Sequence, residues 1–184
     1  MGIHDGHREK MRRRFLETGL EGFADHEALE LLLYYAIPQG DVNGLAHELV
    51  ERFGSLAGVL DAAEEELCRV PGVGQHTAVL LKLIPAAGAR YLQSRADLGE
   101  PVRRTEDAYA LLEPYFFGAR NEMIYLLALD GKNKPLGVRK VAEGSICAAN
   151  INLRRIMEEA AALRAPQIYL AHNHISNLAF PSAA

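Results

Sequence analysis

The chain has 184 residues, 49% hydrophobic and 24% charged, with a formal net charge of −4. That composition supports a packed core and excludes wholesale disorder, and the length holds one medium domain or two small ones. The net charge gives no general pull toward nucleic acid, and the two cysteines, Cys68 and Cys147, lack a CxxC partner, which excludes a disulfide framework and a zinc ribbon.

Charge is spread unevenly. Residues 1–99 carry 10 Lys and Arg against 15 Asp and Glu, a net −5, while residues 100–184 carry 10 against 9, a net +1. The acidic first half holds one basic cluster, Arg8, Lys10, Arg12, Arg13 and Arg14, which on an amphipathic helix reads as a solvated face. The N-terminus has no apolar stretch of the signal-peptide kind, and Gly6 stands where a myristoylation signal needs Ser or Thr. The longest apolar run, Leu29 to Ile37, is broken by Glu30 and is too short to span a bilayer. A reducing, cytoplasmic setting without membrane attachment is therefore expected.

The first half reads as helices separated by caps. Asp5 is expected to cap a helix through the basic cluster, and Gly19 to end it. Asp25 opens a second helix, closed by Pro38 and apolar nearly all round, which marks it as the centre of the first core. Asp41 or Asn43 starts a third, Leu45 to Phe53, with Gly54 just past its end, and a short helical turn follows over Ser55 to Ala62. Then comes Pro71-Gly-Val-Gly74, ahead of a helix to about Gln93. Two glycines two apart let the backbone turn tightly and leave N–H groups at a helix N-terminus, where a phosphate oxygen binds. This helix-hairpin-helix pattern makes Gly72, Val73 and Gly74 the candidate nucleic-acid contact and DNA the partner it suits, a plain helix connector being the alternative. The residues that follow are Gln75 and His76, not cations. Arg12, Arg13, Arg14, Lys82 and Arg90 assist only if they share the hairpin's face.

Residues 96–104 are polar and hold Gly99 and Pro101, the composition of a linker between a helical domain over 1–95 and a second domain over 105–184. Thr105-Glu-Asp107 caps a helix ending near Pro114. Glu122 to Leu129 is a continuous apolar run of strand length, and a turn over Asp130 to Pro135 returns it as a second strand, Leu136 to Ala142. Asn152 caps a helix from Leu153 to Leu163, and Gln167 to His172 is a third strand. Strand, helix, strand predicts a parallel crossover packed on a sheet. The fold class is thus α+β, an all-α domain followed by an α/β one.

On the third strand Ile168, Leu170, His172 and His174 alternate onto one face, so two imidazoles emerge where an apolar stripe ends. Two histidines so placed suit a metal, although a His-x-His pair at a strand end also arises by chance. Seven residues separate His174 from Ser182. His-x-His, seven residues, then Ser resembles the JAMM motif of JAB/MPN metalloprotease-like domains, and the whole chain resembles the bacterial RadC family. Arg8-Glu9-Lys10, Pro71-Gly-Val-Gly74, the run Glu122 to Leu129 and Gly144-Ser145 carry that wider likeness. The adjacency of His172, Asn173 and His174 is not the HNH nuclease motif, whose residues are spread over a ββα unit.

The resemblance implies a JAB/MPN, cytidine-deaminase-like second domain, incomplete at its C-terminal end, and a label of DNA repair. It implies Zn²⁺ held by His172 and His174, with Ser182 hydrogen-bonding near the oxyanion. It also implies a general-base glutamate, Glu122 or, as runner-up, Glu143. The reaction would be amide hydrolysis of an unidentified protein or peptide. The third ligand of the motif, an aspartate, falls one position past Ala184, so the expectation for these 184 residues is weak zinc binding and no catalysis. Ile175 and Asn177 replace the family's proline and glycine in the loop. The alternative function is a non-enzymatic DNA-binding or scaffold protein.

Overall fold

The computed structural model describes residues 3–95, 98–144 and 152–174. The chain divides into two compact units, Met1–Ala86 and Ala87–Ala184.

The first unit is helical: α1 (Ile3–Thr18), α2 (Asp25–Ala36), α3 (Asn43–Phe53), α4 (Leu56–Asp61), α5 (Glu64–Leu67) and the start of α6 (Gln75–Arg95). Helix α1 begins ahead of Asp5, which lies in its first turn instead of capping it. Helix α2 opens where Ala24 N–H donates to Glu27 Oε2 at 2.9 Å. That bond, with help from Arg14, holds the Glu27 carboxyl below its ordinary range. Asp25 reaches across instead, its Oδ2 accepting from Leu56 N–H at the head of α4 at 2.8 Å. Gly54 closes α3 at φ +84, a left-handed conformation that costs glycine no Cβ clash.

Helix α2 is the centre of this unit's core. Leu29 and Leu33 are fully buried and pack with Leu49, Val59, Leu67, Val70 and Leu81. It also buries a carboxylate. Glu30 is 2% exposed, and its oxygens take the Tyr34 hydroxyl at 2.6 Å and Asn43 Nδ2 at 3.1 Å, with His7 Nε2 at 3.3 Å. Buried polar groups persist when paired in this way. Burial, reinforced by the neighbouring Glu30, pushes the Tyr34 hydroxyl well above its usual range.

The basic cluster of α1 departs from expectation. Arg8 is 7% exposed and donates to the carbonyls of Pro38, Ile37 and Gly40 at 2.9, 3.0 and 2.7 Å, while lying over the Tyr34 ring. Arg14 bonds Glu27 and the Gly22 carbonyl and stacks on Phe23. Only part of the cluster is a solvated face, because α2 ends beside α1 with carbonyls that need donors.

The second unit contains the end of α6, then α7 (Thr105–Leu112) with a 3-10 turn (Glu113–Tyr115), β1 (Met123–Leu129), β2 (Pro135–Glu143), α8 (Leu153–Ala162) and β3 (Gln167–His172). The division falls within α6, ahead of the boundary expected at residue 95. Gly88 faces the Phe117 ring, and a cavity of about 470 Å³ is lined by Leu92, Glu113, Pro114, Phe116 and Phe117, which ties the last turns of α6 to this unit. Nor is the expected linker a loose tether throughout. Val102 is 2% exposed and its N–H donates to the Asn133 carbonyl at 2.8 Å.

The sheet has the order β2-β1-β3, with β1 antiparallel to both neighbours. The strand-helix-strand unit β2-α8-β3 therefore returns a strand parallel to β2, as a crossover must, but β1 lies between the two. The parallel crossover expected from strand, helix, strand is present, with its two strands each paired antiparallel to the central β1. Strand β1 is covered on both faces, which accounts for its unbroken apolar run. Ile124, Leu126 and Ala128 pack with Ile156 and Ala160 of α8; Leu127 and Leu129 pack with Val102, Ala108 and Leu112 on the other side. No described helix is long and apolar enough to cross a membrane.

Candidate metal centre at the end of the third strand

Register decides what surrounds the histidines. Ile124 pairs with His172, so the side chain of His172 emerges on the α8 face beyond Ile168 and Leu170. The chain then carries Asn173 and His174 past the strand end, opposite the start of β1, where Glu122 precedes Met123.

The two rings converge. Nε2 of His172 lies 3.0 Å from Nε2 of His174, and the ring planes stand edge to face with centroids 4.7 Å apart. Two imidazole nitrogens bound to one tetrahedral zinc at ~2.0–2.1 Å stand about 3.3 Å apart. The observed spacing is close to that bite, and neutral imidazole is a donor zinc accepts, so this pair fits the group. On its far side His174 presents Nδ1 to Glu122, with Oε1 at 3.8 Å and both side chains roughly one-quarter exposed, 28% and 27%. Among the described residues no group of three or more His, Cys, Asp or Glu is arranged to hold a metal ion.

The two candidate glutamates separate clearly. Glu122 stands beside His174. Glu143 is committed elsewhere, paired with Lys140 and accepting from Asn121 Nδ2 at 3.4 Å. Those two partners, Lys140 first, hold its carboxyl below the ordinary range. Ser182 lies outside the described residues, as do Ser145, Cys147 and the loop positions Ile175 and Asn177.

Sequence reasoning missed Asn173 and Asn121. The Asn173 Oδ1 accepts from Met123 N–H at 2.7 Å, and its Nδ2 donates to the Asn121 carbonyl at 3.1 Å. The available signal was an amide side chain, able both to donate and to accept, placed between the two histidines.

In the helical unit the hairpin residues divide. Gly72 has φ +92 and sits over the Leu45 side chain, while Gly74 has nothing within 4 Å of where a Cβ would lie. Val73 is 6% exposed in the core, and its N–H donates to the Val70 carbonyl at 3.0 Å. Gly72 and Gly74 are thus exposed in this turn, while the Val73 N–H is taken up within it. Lys82 does not supply a spare cation, because its Nζ donates to the Leu60 and Ala62 carbonyls at 2.7 and 3.1 Å. Arg69, which the sequence reading passed over, is exposed just ahead of the turn.

A helical region followed by a small antiparallel sheet flanked by helices is an α+β fold consistent with a JAB domain. Residues 102–184 match the RadC-like JAB domain, and residues 6–79 match the UPF0758 N-terminal family. A UPF0758 protein of Fusobacterium nucleatum subsp. nucleatum is 30% identical over 190 residues, covering 97% of this chain and 80% of its own length. The chain belongs to this RadC-like UPF0758 family.

Proposed function

We propose that the second unit is a zinc-dependent amide hydrolase of the JAMM type, acting on a protein or peptide. The observation that carries this reading is the convergence of the His172 and His174 Nε2 atoms at 3.0 Å, with a Glu122 carboxylate oxygen 3.8 Å from the other ring nitrogen of His174, Nδ1. Within it, His172 and His174 hold the ion through their Nε2 atoms. Zinc, when bound there, supplies a Lewis acid that polarises a carbonyl and makes water nucleophilic near neutral pH. The motif gives Glu122 the part of general base; to take the proton of the attacking water and return it to the leaving amine, its carboxylate would turn from His174 Nδ1 toward the Nε2 side of the ring. The pairing of Glu143 with Lys140 and Asn121 favours Glu122 over it for that task. Ser182 donates to the developing oxyanion, the role the motif gives it. The experiment is a zinc titration of the wild-type chain beside His172→Ala and His174→Ala, with peptidase assays on the same proteins. Binding that survives both substitutions overturns the reading.

A second reading is favoured by one observation, the exposed Gly72 and Gly74 backbone with Arg69 beside it. It gives the helical unit a backbone contact to duplex DNA without base readout. Such binding rests on a few cations and weakens steeply with salt.

A further inference from the structure

We infer that Asn173 is a positioning residue of the histidine site, which holds Glu122 against Nδ1 of His174 and so leaves Nε2 of that ring without a proton. Its consequence for metal binding rests on the zinc-centre reading above; its geometry does not.

Asn173 is the residue that spaces the two histidines, and its planar amide binds both peptide groups flanking Glu122. Oδ1 accepts from Met123 N–H at 2.7 Å and Nδ2 donates to the Asn121 carbonyl at 3.1 Å. Only an amide makes both bonds at once; a carboxylate lacks the donor and alanine lacks both groups. A third tie comes from Gly144, whose N–H donates to the Glu122 carbonyl at 2.9 Å. The backbone of Glu122 is therefore fixed to the strand end that bears the histidines.

Held there, the Glu122 carboxylate stands 3.8 Å from Nδ1 of His174. That separation is too long for a hydrogen bond and within ion-pair range, and a negative charge beside Nδ1 favours a proton on that nitrogen. The two Nε2 atoms lie 3.0 Å apart, a distance at which neutral rings share one hydrogen. With His174 protonated at Nδ1, that hydrogen sits on Nε2 of His172, and the bare Nε2 of His174 accepts it. A carboxylate acting on the far nitrogen of a ligating histidine sets its tautomer and its basicity, and loss of such a partner typically weakens metal binding about 10–100-fold.

The test is histidine nitrogen NMR on the whole metal-free chain, at a pH where the nitrogen shifts themselves show both rings neutral. The expected wild-type spectrum has His174 in the Nδ1–H form and His172 in the Nε2–H form. In Asn173→Ala, His174 becomes a tautomer mixture and the Met123 amide exchanges at least ten times faster, while Leu126 and Leu127 stay protected. Asn173→Asp, which keeps the acceptor for Met123 N–H, retains that amide's protection yet loses the Asn121 bond, and carries the test if the alanine variant does not fold. An Nε2–H form of His174 in wild type overturns the inference. So does an unchanged tautomer in Asn173→Ala with Met123 exposed, the result for a merely structural clamp. Zinc chloride added to the same samples separates the two claims. A wild-type response weakened about 10–100-fold in Asn173→Ala supports positioning, whereas equal responses overturn it. No wild-type response overturns the zinc-centre reading, and the metal-free spectra then decide the positioning alone.

Discussion

Replacing Arg8 with alanine should destabilise the helical unit far more than any other change in the basic cluster. The side chain is 7% exposed and donates to three carbonyls just past the end of α2, at 2.9, 3.0 and 2.7 Å. Hydrogen bonds from a charged donor contribute about 1.5–3 kcal/mol each, which sets an upper limit of roughly 5–9 kcal/mol. Two of the three share one nitrogen, and water reaches carbonyls vacated this near the surface, so the expected loss is about 3–4 kcal/mol. Urea unfolding followed by circular dichroism measures it, with Arg13→Ala as the control. Arg13 is exposed and its partner Glu17 lies 3.9 Å away, a pair expected to contribute about 0–0.5 kcal/mol. A loss below about 1 kcal/mol for Arg8→Ala, or one equal to the control, would refute the assignment of Arg8 as the donor that satisfies the end of α2.

Other outcomes follow from the same contacts. Asp107 accepts from the Arg103 and Arg104 N–H groups, and those bonds hold its carboxyl below the ordinary range. Its contribution is present above the ordinary value of about 4 and is lost as pH falls through the lowered one. The Tm gap between wild type and Asp107→Asn should therefore be largest near neutral pH and close in acid; a gap constant with pH contradicts this. Gly74→Leu adds bulk where nothing lies within 4 Å and no left-handed φ is strained. It should weaken binding to a DNA duplex in a mobility-shift assay while leaving Tm unchanged, and unaltered affinity would remove the hairpin from the interface.

Local signals in the sequence were read well where one physical cause dominates. The apolar run of β1 follows from burial on both faces, and Asn152 caps α8 with Oδ1 accepting from Arg155 N–H at 3.1 Å. The hidden part was what chain-distant groups do for one another. Nothing near Arg8 in sequence announces the carbonyls of Ile37, Pro38 and Gly40, so a buried hub looked like surface charge. Glu30 looked like an interruption in an apolar run and is instead the acceptor for Tyr34 and Asn43. Periodicity placed His172 on a face but could not supply its register against Ile124. That register brings Glu122 to His174 and Asn173 to the peptides beside Glu122, and the position of β1 between β2 and β3 was likewise not legible in the sequence.

The central claim is that His172 and His174 together hold a metal ion. Four protein ligands give structural zinc about 10–16 kcal/mol, so two contribute roughly half, a Kd between about a micromolar and a millimolar. Equilibrium dialysis with metal analysis on the wild-type chain should find one zinc in that range, and none above background in His172→Ala or His174→Ala. No zinc in wild type, or uptake unchanged by either substitution, would contradict the account.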